Sequence, residues 1–307
     1  MTATRERGIC VALLNTKRGP MYVSADIAGS DGAIEKGNTD SSEMIPRRII
    51  QIGRDNSFTV RQRAVIANMK LLNPGFEYLY FDNQQKDDFV REVYPQYFKV
   101  YESFRYPIQK YDFFRYLAVH HYGGFYFDID VLLASGLLPL LGAGCIFAFE
   151  AISTSVYLRD DLRMDWQIGN YAFGAIRHHR FLETIIENCV RGQREPKWVE
   201  AMMRGTPPLH RREFYIINST GPGLVSRTYA ENAELAQTVD VLCPDDVCDL
   251  RNWNSFGEWG SHLAESSWRV KRSFVVDKVG SYLWRWIQYK RVRESRRRQE
   301  VRRNTKA

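Results

Sequence analysis

Residues 110–131 read KYDFFRYLAVHHYGGFYFDIDV, and this stretch decides the fold. Lys110 to Tyr122 is predicted as a helix, and Gly123-Gly124 directly after it suits the left-handed backbone with which many helices end. The apolar run from Phe125 to Asp130 is predicted as a strand. A helix that returns through two glycines into an apolar strand is typical of an α/β protein.

The residues before this stretch predict a second unit of the same kind. Ile45 to Ile52 has the pattern of an apolar strand, and Val60 to Leu72 has helical spacing. Phe76 to Phe81 follows the Asn73-Pro74-Gly75 turn as another strand. Strand, helix and strand in this order predict a parallel βαβ unit. A further helix is expected from Gln84 to Val93.

The later part of the chain is less regular. We expect a helix from Arg180 to Val190, a loop at Pro207-Pro208, a strand from Phe214 to Ile217 and a turn at Thr220-Gly221-Pro222-Gly223. The fold class expected from all these elements is α/β, with a Rossmann-like, mixed and mostly parallel sheet flanked by helices.

The composition is that of a globular protein, for which a soluble enzyme is the default expectation. The chain has 307 residues, of which 44% are hydrophobic and 26% charged, so it can bury one large core or two smaller ones. The five cysteines are scattered and odd in number, which indicates free thiols in a reducing compartment. No signal peptide and no run of about 18 apolar residues is visible. We therefore expect a cytoplasmic protein, with at most a peripheral contact to the inner face of the membrane.

The positive charge is concentrated at the C-terminal end. The net charge is +7, yet residues 285–307 alone contain ten Lys or Arg against two Glu, which leaves the rest of the chain close to neutral. Trp284, Trp286, Ile287 and Tyr289 lie beside this cluster, a pattern typical of a helix on an anionic membrane surface. A solvated tail is the second interpretation. Nucleic-acid binding ranks third, because no nucleic-acid motif accompanies the charge.

These patterns divide the chain into three segments. Residues 1–44 are expected to form a small β-hairpin appendage with a linker, built on the apolar patches Ile9 to Leu14 and Met21 to Ile27. Residues 45–275 are expected to form the α/β domain. Residues 276–307 are expected to form a basic amphipathic helix and tail.

Asp128 and Asp130 carry the clearest chemical signal. Side chains alternate along a strand, so both carboxylates are expected on the same side as Tyr126. Two adjacent carboxylates repel each other unless a divalent cation accepts their oxygens as ligands. The carboxyl end of a strand in an open α/β sheet is also where ligands bind. The bare Asp-x-Asp tripeptide ends many strands by chance, so its meaning depends on the motifs around it.

Those motifs resemble the sugar-binding region of glycosyltransferase family 32. Tyr111 to Tyr116 (YDFFRY) comes first, then Gly123-Gly124, then the strand that leads into the two aspartates. Ile45 to Gln51 resembles the opening strand of the family, with Ile50 at the position where the family usually has a histidine. Later motifs follow in the family's order, so the resemblance covers residues 45–268; they are Ile168 to Ala172, His179 to Phe181, Thr220 to Pro222, and His262 to Trp268.

The resemblance implies a GT-A fold and a retaining transfer of a sugar from a GDP- or UDP-sugar donor to a hydroxyl of a glycan or lipid-linked acceptor. Mannose is the sugar that family membership favours. The resemblance also implies a Mn²⁺ or Mg²⁺ cofactor, with Asp130 as a direct ligand and Asp128 bridging donor and metal. His262 resembles a C-terminal histidine that approaches the metal or the diphosphate. No nucleophile is assigned, because no ordinary pair of flanking catalytic carboxylates is expected.

Four further residues are implied in donor binding. Asp112 and Arg115, three residues apart on the predicted helix, should contact hydroxyls of the sugar. Asn170 should bind a donor hydroxyl or line the face from which the acceptor attacks, and Gln51 should border the nucleotide. Without the resemblance, Asp112 and Arg115 would be interpreted as a surface ion pair, Asn170 as a turn cap and His262 as a structural histidine.

Two other functions compete with this interpretation. A haloacid-dehalogenase-like phosphatase also places Asp-x-Asp after an apolar strand and needs Mg²⁺. That motif expects Thr or Val where Leu132 stands, and it usually lies on the first core strand. A non-catalytic carbohydrate- or membrane-binding protein would instead use the N-terminal hairpin and the basic tail. The intact set of donor-site residues favours the transferase.

Overall fold

The computed structural model of the chain describes residues 44–263, 286–294 and 296–297. Residues 44–263 form an α/β structure in which one nine-stranded sheet is flanked by helices. Apart from Met44, the predicted N-terminal hairpin and its linker lie outside the described residues.

The elements follow one another closely along the chain. The strands are β1 (Arg48–Ile52), β2 (Glu77–Phe81), β3 (Gly124–Phe127), β4 (Val131–Leu133), β5 (Cys145–Ile152), β6 (Trp166–Ala175), β7 (Asp240–Leu242), β8 (Ser255–Phe256) and β9 (Gly260–His262). The α-helices are α1 (Val60–Leu72), α2 (Asn83–Val93), α3 (Pro95–Ser103), α4 (Pro107–Tyr122), α5 (Arg180–Arg194), α6 (Pro196–Glu200), α7 (Arg211–Ser219), α8 (Pro222–Glu231) and α9 (Ala233–Ala236). Residues 286–294 form a further helix.

The sheet has the strand order β2-β1-β3-β6-β5-β8-β9-β4, and β7 pairs with β5. The pairs β1–β2, β1–β3 and β5–β7 are parallel, and the other pairs among the described residues are antiparallel. The α/β class and the mixed sheet flanked by helices are confirmed, but the expectation of a mostly parallel sheet is corrected. Parallel neighbours need a long crossover. Within residues 44–263, such crossovers run through α1, through α2 to α4, and through the helices that precede β7.

Helix α4 lies in the interior of the fold. All its residues from Asp112 to Val119 are buried, in keeping with a sequence that is apolar on nearly every side. Its neighbours include an aromatic cluster in the sheet, where the rings of Phe147 and Phe173 stack with centroids 4.8 Å apart. The two polar residues Asp112 and Arg115 are therefore carried into the core by the helix that contains them.

Several sequence predictions are confirmed at the level of single residues. Helix α1 has the predicted bounds, and it begins with a capping box in which Thr59 and Gln62 bond each other's backbone N–H groups. Gly123 ends α4 with a φ of 64°, and its N–H donates to the carbonyl of Val119. A Cβ at Gly123 would lie 2.7 Å from Cγ of Pro46, so close packing also requires glycine there.

Several predicted strands are wrong in type or in length. The strand expected from Ile45 begins at Arg48, and the strand expected from Phe76 begins at Glu77. Residues Phe214 to Ile217 belong to helix α7, where burial recurs at Glu213, Ile216 and Ser219 with a spacing of three. A short apolar run cannot distinguish a strand from a buried turn of helix. Strand β3 ends at Phe127 rather than at Asp130, because the chain turns after Asp128 before it enters β4.

Within the segment 276–307, where a basic amphipathic helix and tail are expected, residues 286–294 are helical, and the rest of this segment apart from residues 296–297 lies outside the described residues. Val292 is only 7% exposed and packs into the main core, whereas Trp286 and Tyr289 are 56% and 63% exposed. A guanidinium nitrogen of Arg296 lies 3.6 Å from a carboxylate oxygen of Asp246 in the loop after β7. Within the described part of the chain, every helix is too short or too polar to cross a bilayer.

The cap of α5 predicts a pH dependence of stability. Nδ1 of His179 accepts a hydrogen bond from the N–H of Phe181, and burial together with the charge of His120 lowers the pKa of His179 to about 4. The unfolded chain binds this proton near pH 6.5, so the stabilisation is complete above that pH and is lost as the pH falls toward 4.

We expect the free energy of unfolding of His179→Asn to fall less steeply than that of the wild type between about pH 6.5 and 4. The difference in slope should approach about 1.4 kcal/mol per pH unit, the value for one proton. Asn is a good N-cap, so the substitution retains the cap. Urea titrations at several pH values measure both slopes, and parallel curves for the two proteins would contradict the assignment.

Candidate active site

Asp128 is held in place at the end of β3. Its backbone N–H donates to the carbonyl of Tyr171 at 2.8 Å. Its carboxylate oxygen Oδ1 accepts a hydrogen bond from the Tyr126 hydroxyl at 2.5 Å and lies 3.1 Å from a guanidinium nitrogen of Arg115. The direction of this carboxylate is thus determined by the strand, by a tyrosine and by a buried cation.

Asp112 and Arg115 form a buried network instead of a surface ion pair. Each residue is 4% exposed, and the two side chains approach to 3.1 Å. Asp112 also accepts hydrogen bonds from the side chains of Asn170 and Thr220, and Arg115 donates to the carbonyl of Asn170 at 2.8 Å. The surface interpretation is therefore wrong, because α4 is an interior helix.

Burial and the neighbouring charges act in opposite directions on this network. Burial raises the pKa of Asp112, and the nearby Arg115 opposes that effect only in part. For Arg115, burial lowers the pKa, but Asp128 and the other acidic neighbours outweigh burial and the pKa lies above its ordinary value. Arg115 is therefore a permanent cation between the carboxylates of Asp112 and Asp128.

The β5–β6 ladder is irregular beside Asn170 and Tyr171, two neighbouring residues whose side chains contact different parts of the fold. Phe147 of β5 pairs with Phe173, but the next residue of β5, Ala148, pairs with Gly169, so residues 170–172 are extra on β6. The amide of Asn170 donates to Asp112 and to the Tyr116 hydroxyl on the α4 side. The ring of Tyr171 stacks on His262 with centroids 4.5 Å apart.

Asp130 and His262 meet through strand pairing. Val131 pairs with His262 in the β4–β9 ladder, and the N–H of Leu263 donates to the carbonyl of Asp130 at 2.9 Å. Nε2 of His262 lies 3.2 Å from Oδ1 of Asp130. Burial lowers the pKa of His262, but the hydrogen bond to Asp130 and the charge of Asp128 outweigh burial, so the pKa lies above its ordinary value.

The side chains of Asp128, Asp130 and His262 fit a divalent cation. One ligand atom from each residue lies within 4.8 Å of the other two. Two carboxylates and an imidazole are donors that Mn²⁺ accepts readily, and Mg²⁺ accepts the carboxylates. Nδ1 of His262 is buried and has no hydrogen-bond partner among the described residues, so the protein does not complete the bonding of this imidazole. The predicted metal residues are thus brought together, although they come from β3, a turn and β9.

Gln51 has a supporting position. Its side chain is fully buried, its amide N–H donates to the carbonyl of Asp128 at 3.2 Å, and its amide oxygen accepts from the Tyr78 hydroxyl at 2.7 Å. Both polar atoms of the Gln51 side chain are thus bonded within the protein. Ile50, at the position where a histidine was expected by resemblance, is fully buried in the core.

Sequence reasoning missed several residues that position the site. Tyr126 and Tyr171 were noted only as parts of motifs, and so was Thr220. The structure places the Tyr126 hydroxyl on Asp128, the Tyr171 ring on His262 and the Thr220 hydroxyl on Asp112. The position of these residues within or beside the sequence motifs marks them as part of the site. A motif does not show which neighbour each side chain contacts.

Residues 59–145 match the family model described as "Glycosyltransferase sugar-binding region containing DXD motif". The matched segment contains Asp112, Arg115, Asp128 and Asp130, and it ends before β6 and β9. The family model thus covers Asp112 and Arg115 on α4 and the two strand-end aspartates, but it does not cover Asn170 or His262.

Curated relatives include two yeast proteins that are named for reactions of inositol phosphoceramide or its mannosylated form. A mannosyl phosphorylinositol ceramide synthase of Saccharomyces cerevisiae is 25% identical over 211 residues, which cover 66% of this chain and 49% of the relative. An inositol phosphoceramide mannosyltransferase of Schizosaccharomyces pombe is 29% identical over 149 residues, which cover 48% of this chain and 43% of the relative. The chain spans about half the length of these curated relatives, or less.

Among solved structures, the PaToxG glycosyltransferase is similar with a TM-score of 0.41 and 16% sequence identity, over 64% of this chain and 76% of that chain. The matched family model and the two yeast relatives confirm the resemblance to glycosyltransferase family 32 that the motifs predicted.

The buried position of Arg115 predicts a large effect on stability. Arg115→Met should lower the free energy of unfolding by about 3–5 kcal/mol, because it leaves the buried Asp112 without its cation. The matched control is Arg91→Met. The Arg91 side chain is 53% exposed and pairs with Asp88 three residues earlier, so this substitution should lower the free energy of unfolding by less than about 1 kcal/mol. Urea unfolding compares the two variants, and equal losses would contradict the buried-network assignment.

Proposed function

We propose that this protein is a retaining, divalent-metal-dependent glycosyltransferase that moves a sugar from a GDP- or UDP-sugar to a hydroxyl of a glycan or lipid-linked acceptor. The observation that carries the proposal is the approach of Asp128, Asp130 and His262 to within 4.8 Å of one another, beside a buried Asp112–Arg115 pair on the segment that matches the family model. This arrangement supplies both a cation site and a cluster of sugar-binding groups.

The metal site accounts for the charge of the departing group. A bound Mn²⁺ or Mg²⁺ would neutralise charge on the nucleoside diphosphate that leaves when the bond between the anomeric carbon and the diphosphate oxygen of the donor breaks and the acceptor hydroxyl forms the new glycosidic bond. Asp130 and His262 would be direct ligands, and Asp128 would lie between the cation and the donor. Because these groups are already oriented by strand pairing and by Tyr126, little reorganisation is needed during the reaction.

The buried network accounts for the orientation of the donor sugar. Asp112 accepts and Arg115 donates hydrogen bonds, so together they suit the hydroxyl groups of a sugar. Only a small edge of each residue is exposed, since both are 4% accessible. Their main contribution is therefore to hold Asp128 and Asn170 in position, and a donor hydroxyl would contact the network at its accessible edge.

The sugar and the acceptor are proposed from the relatives. The yeast proteins are named as mannosyltransferases that act on inositol phosphoceramide or form its mannosylated product, which supports mannose as the sugar and a glycolipid as the acceptor class. Retention of the anomeric configuration follows from the family resemblance. The matched relatives favour this function over a haloacid-dehalogenase-like phosphatase, and the oriented cluster favours it over a non-catalytic binding protein.

A lipid-linked acceptor would be reached through the C-terminal helix. Residues 286–294 expose Trp286, Tyr289, Lys290 and Arg293 at helical spacing, while Val292 packs inward against the core. Aromatic and basic side chains on one exposed face suit the interface of an anionic bilayer. We therefore propose a peripheral contact with a membrane through this face.

The metal proposal is tested with purified protein, Mn²⁺ and a panel of GDP- and UDP-sugars. We expect hydrolysis of at least one donor, and a decrease of about 100-fold or more for Asp130→Ala, because the charge on the leaving group is no longer stabilised. Asp88→Ala is the matched control, since Asp88 pairs with Arg91 on the exposed surface of α2. The proposal fails if no donor is consumed, or if the Asp130 variant is as active as the control.

The membrane proposal is tested by co-sedimentation with anionic liposomes. The full chain should pellet at low salt, and a chain that ends before Ser281 should remain in the supernatant, because it lacks the aromatic residues and all of the excess positive charge. Raising the ionic strength should weaken the binding of the full chain. Equal pelleting of the two chains would remove the membrane contact from the proposal.

A further inference from the structure

Glu150 lies in a second irregularity of the β5–β6 ladder. Phe149 pairs with Ile168 and Ala151 pairs with Gln167, so Glu150 is the extra residue between two register pairs. A bulge of this kind changes the direction of the side chain it contains, and bulges are common next to active sites. The glutamate was not among the residues that the motifs singled out.

The carboxylate of Glu150 lies on the same face of the sheet as Tyr171. A Cβ built on Gly169 would lie 2.9 Å from Oε2 of Glu150 and 2.4 Å from Cε1 of Tyr171. The carboxylate and the ring therefore share the space that Gly169 leaves open. The Tyr171 ring also stacks on His262, so Tyr171 lies between Glu150 and one of the proposed metal residues.

The backbone of Glu150 is linked to that of His262 through a single residue. The N–H of Asn254 donates to the carbonyl of Glu150 at 3.0 Å, and the N–H of His262 donates to the carbonyl of Asn254 at 2.9 Å. Asn254 has a φ of 58°, a left-handed conformation that asparagine tolerates better than most residues. Two backbone hydrogen bonds through Asn254, in the turn before β8, thus connect Glu150 of β5 with His262 of β9.

Glu150 lies outside the set of direct ligands. It does not belong to the three residues whose ligand atoms lie within 4.8 Å of one another. Its carboxylate lies beside the ring of Tyr171, and that ring stacks on His262, so one residue separates Glu150 from a proposed ligand.

We propose that Glu150 is an outer-sphere residue of the divalent-cation site, whose carboxylate accepts a hydrogen bond from a water molecule on the cation held by Asp128, Asp130 and His262. This inference rests on the metal site of the proposed function. Mn²⁺ and Mg²⁺ keep part of their water shell when few protein ligands bind them, and such water molecules donate hydrogen bonds. A carboxylate just outside the ligand set both accepts these bonds and adds negative charge, which increases cation affinity.

The test is a titration of the metal-free full chain with Mn²⁺, carried out once without nucleotide and once with GDP or UDP. Binding is measured by calorimetry and by the electron paramagnetic resonance signal of free Mn²⁺. Glu150→Gln should weaken Mn²⁺ binding about 10-fold, at the lower end of the usual range for residues that support metal ligands. Asp130→Ala should weaken it further. Glu102→Gln, an exposed position on α3, is the matched control and should bind as the wild type does.

Glu150→Asp keeps the charge but shortens the side chain, so its Mn²⁺ affinity should lie between those of the wild type and Glu150→Gln. The thermal midpoint without metal should be the same for the wild type and Glu150→Asp, since a merely structural role would change it. If Asp130→Ala weakens binding while both Glu150 variants bind normally, the inference about Glu150 is overturned and the metal site stands. If Asp130→Ala also binds normally, the metal site itself fails. Should Glu150→Gln not fold, wild-type affinity of Glu150→Asp would overturn the inference.

Discussion

The ion pairs of Arg115 are the constraint on which the rest of the structure depends. A guanidinium that is 4% exposed lies between the carboxylates of Asp112 and Asp128, one from its own helix and one from the end of β3. A buried charge is tolerated only when its partners are oriented and hydrogen-bonded. Helix α4, strand β3 and the irregular part of β6 must therefore meet with little freedom, because Asn170 also bonds both residues of the α4 pair.

The bulges of the β5–β6 ladder convert this packing into a site with two faces. On one face, Asn170 joins the buried network of α4. On the other, Tyr171 supports His262, and Glu150 lies beside Tyr171 over Gly169. Asp128 belongs to both faces, since it pairs with Arg115 and also contributes to the cluster with Asp130 and His262. Successive side chains along a strand point to opposite faces, and the register shifts between Phe147 and Ala148 and between Phe149 and Ala151 change which residues of the two strands lie opposite each other.

The basic helix at residues 286–294 places aromatic side chains on the surface. Val292 is packed into the main core, so the helix that exposes Trp286 and Tyr289 lies against residues 44–263. The relatives of this chain are named for a glycolipid reaction. In the proposed function, an aromatic and basic face held against the domain would suit an acceptor whose lipid part stays in the membrane.

The sequence by itself determined the α/β class, the bounds of α1, the stop at Gly123 and the set of polar residues around Asp128. These depend on local periodicity, on caps and on the order of motifs, all of which are written along the chain. Only the tertiary structure decided that Asp112 and Arg115 are buried, that Gln51 supports Asp128 from the interior, and that α7 is a helix instead of a strand. It also decided the position of Glu150 and the partners of Tyr126 and Thr220. These outcomes depend on register shifts and on contacts between residues far apart in sequence, and a one-residue change of register reverses the face to which a side chain points.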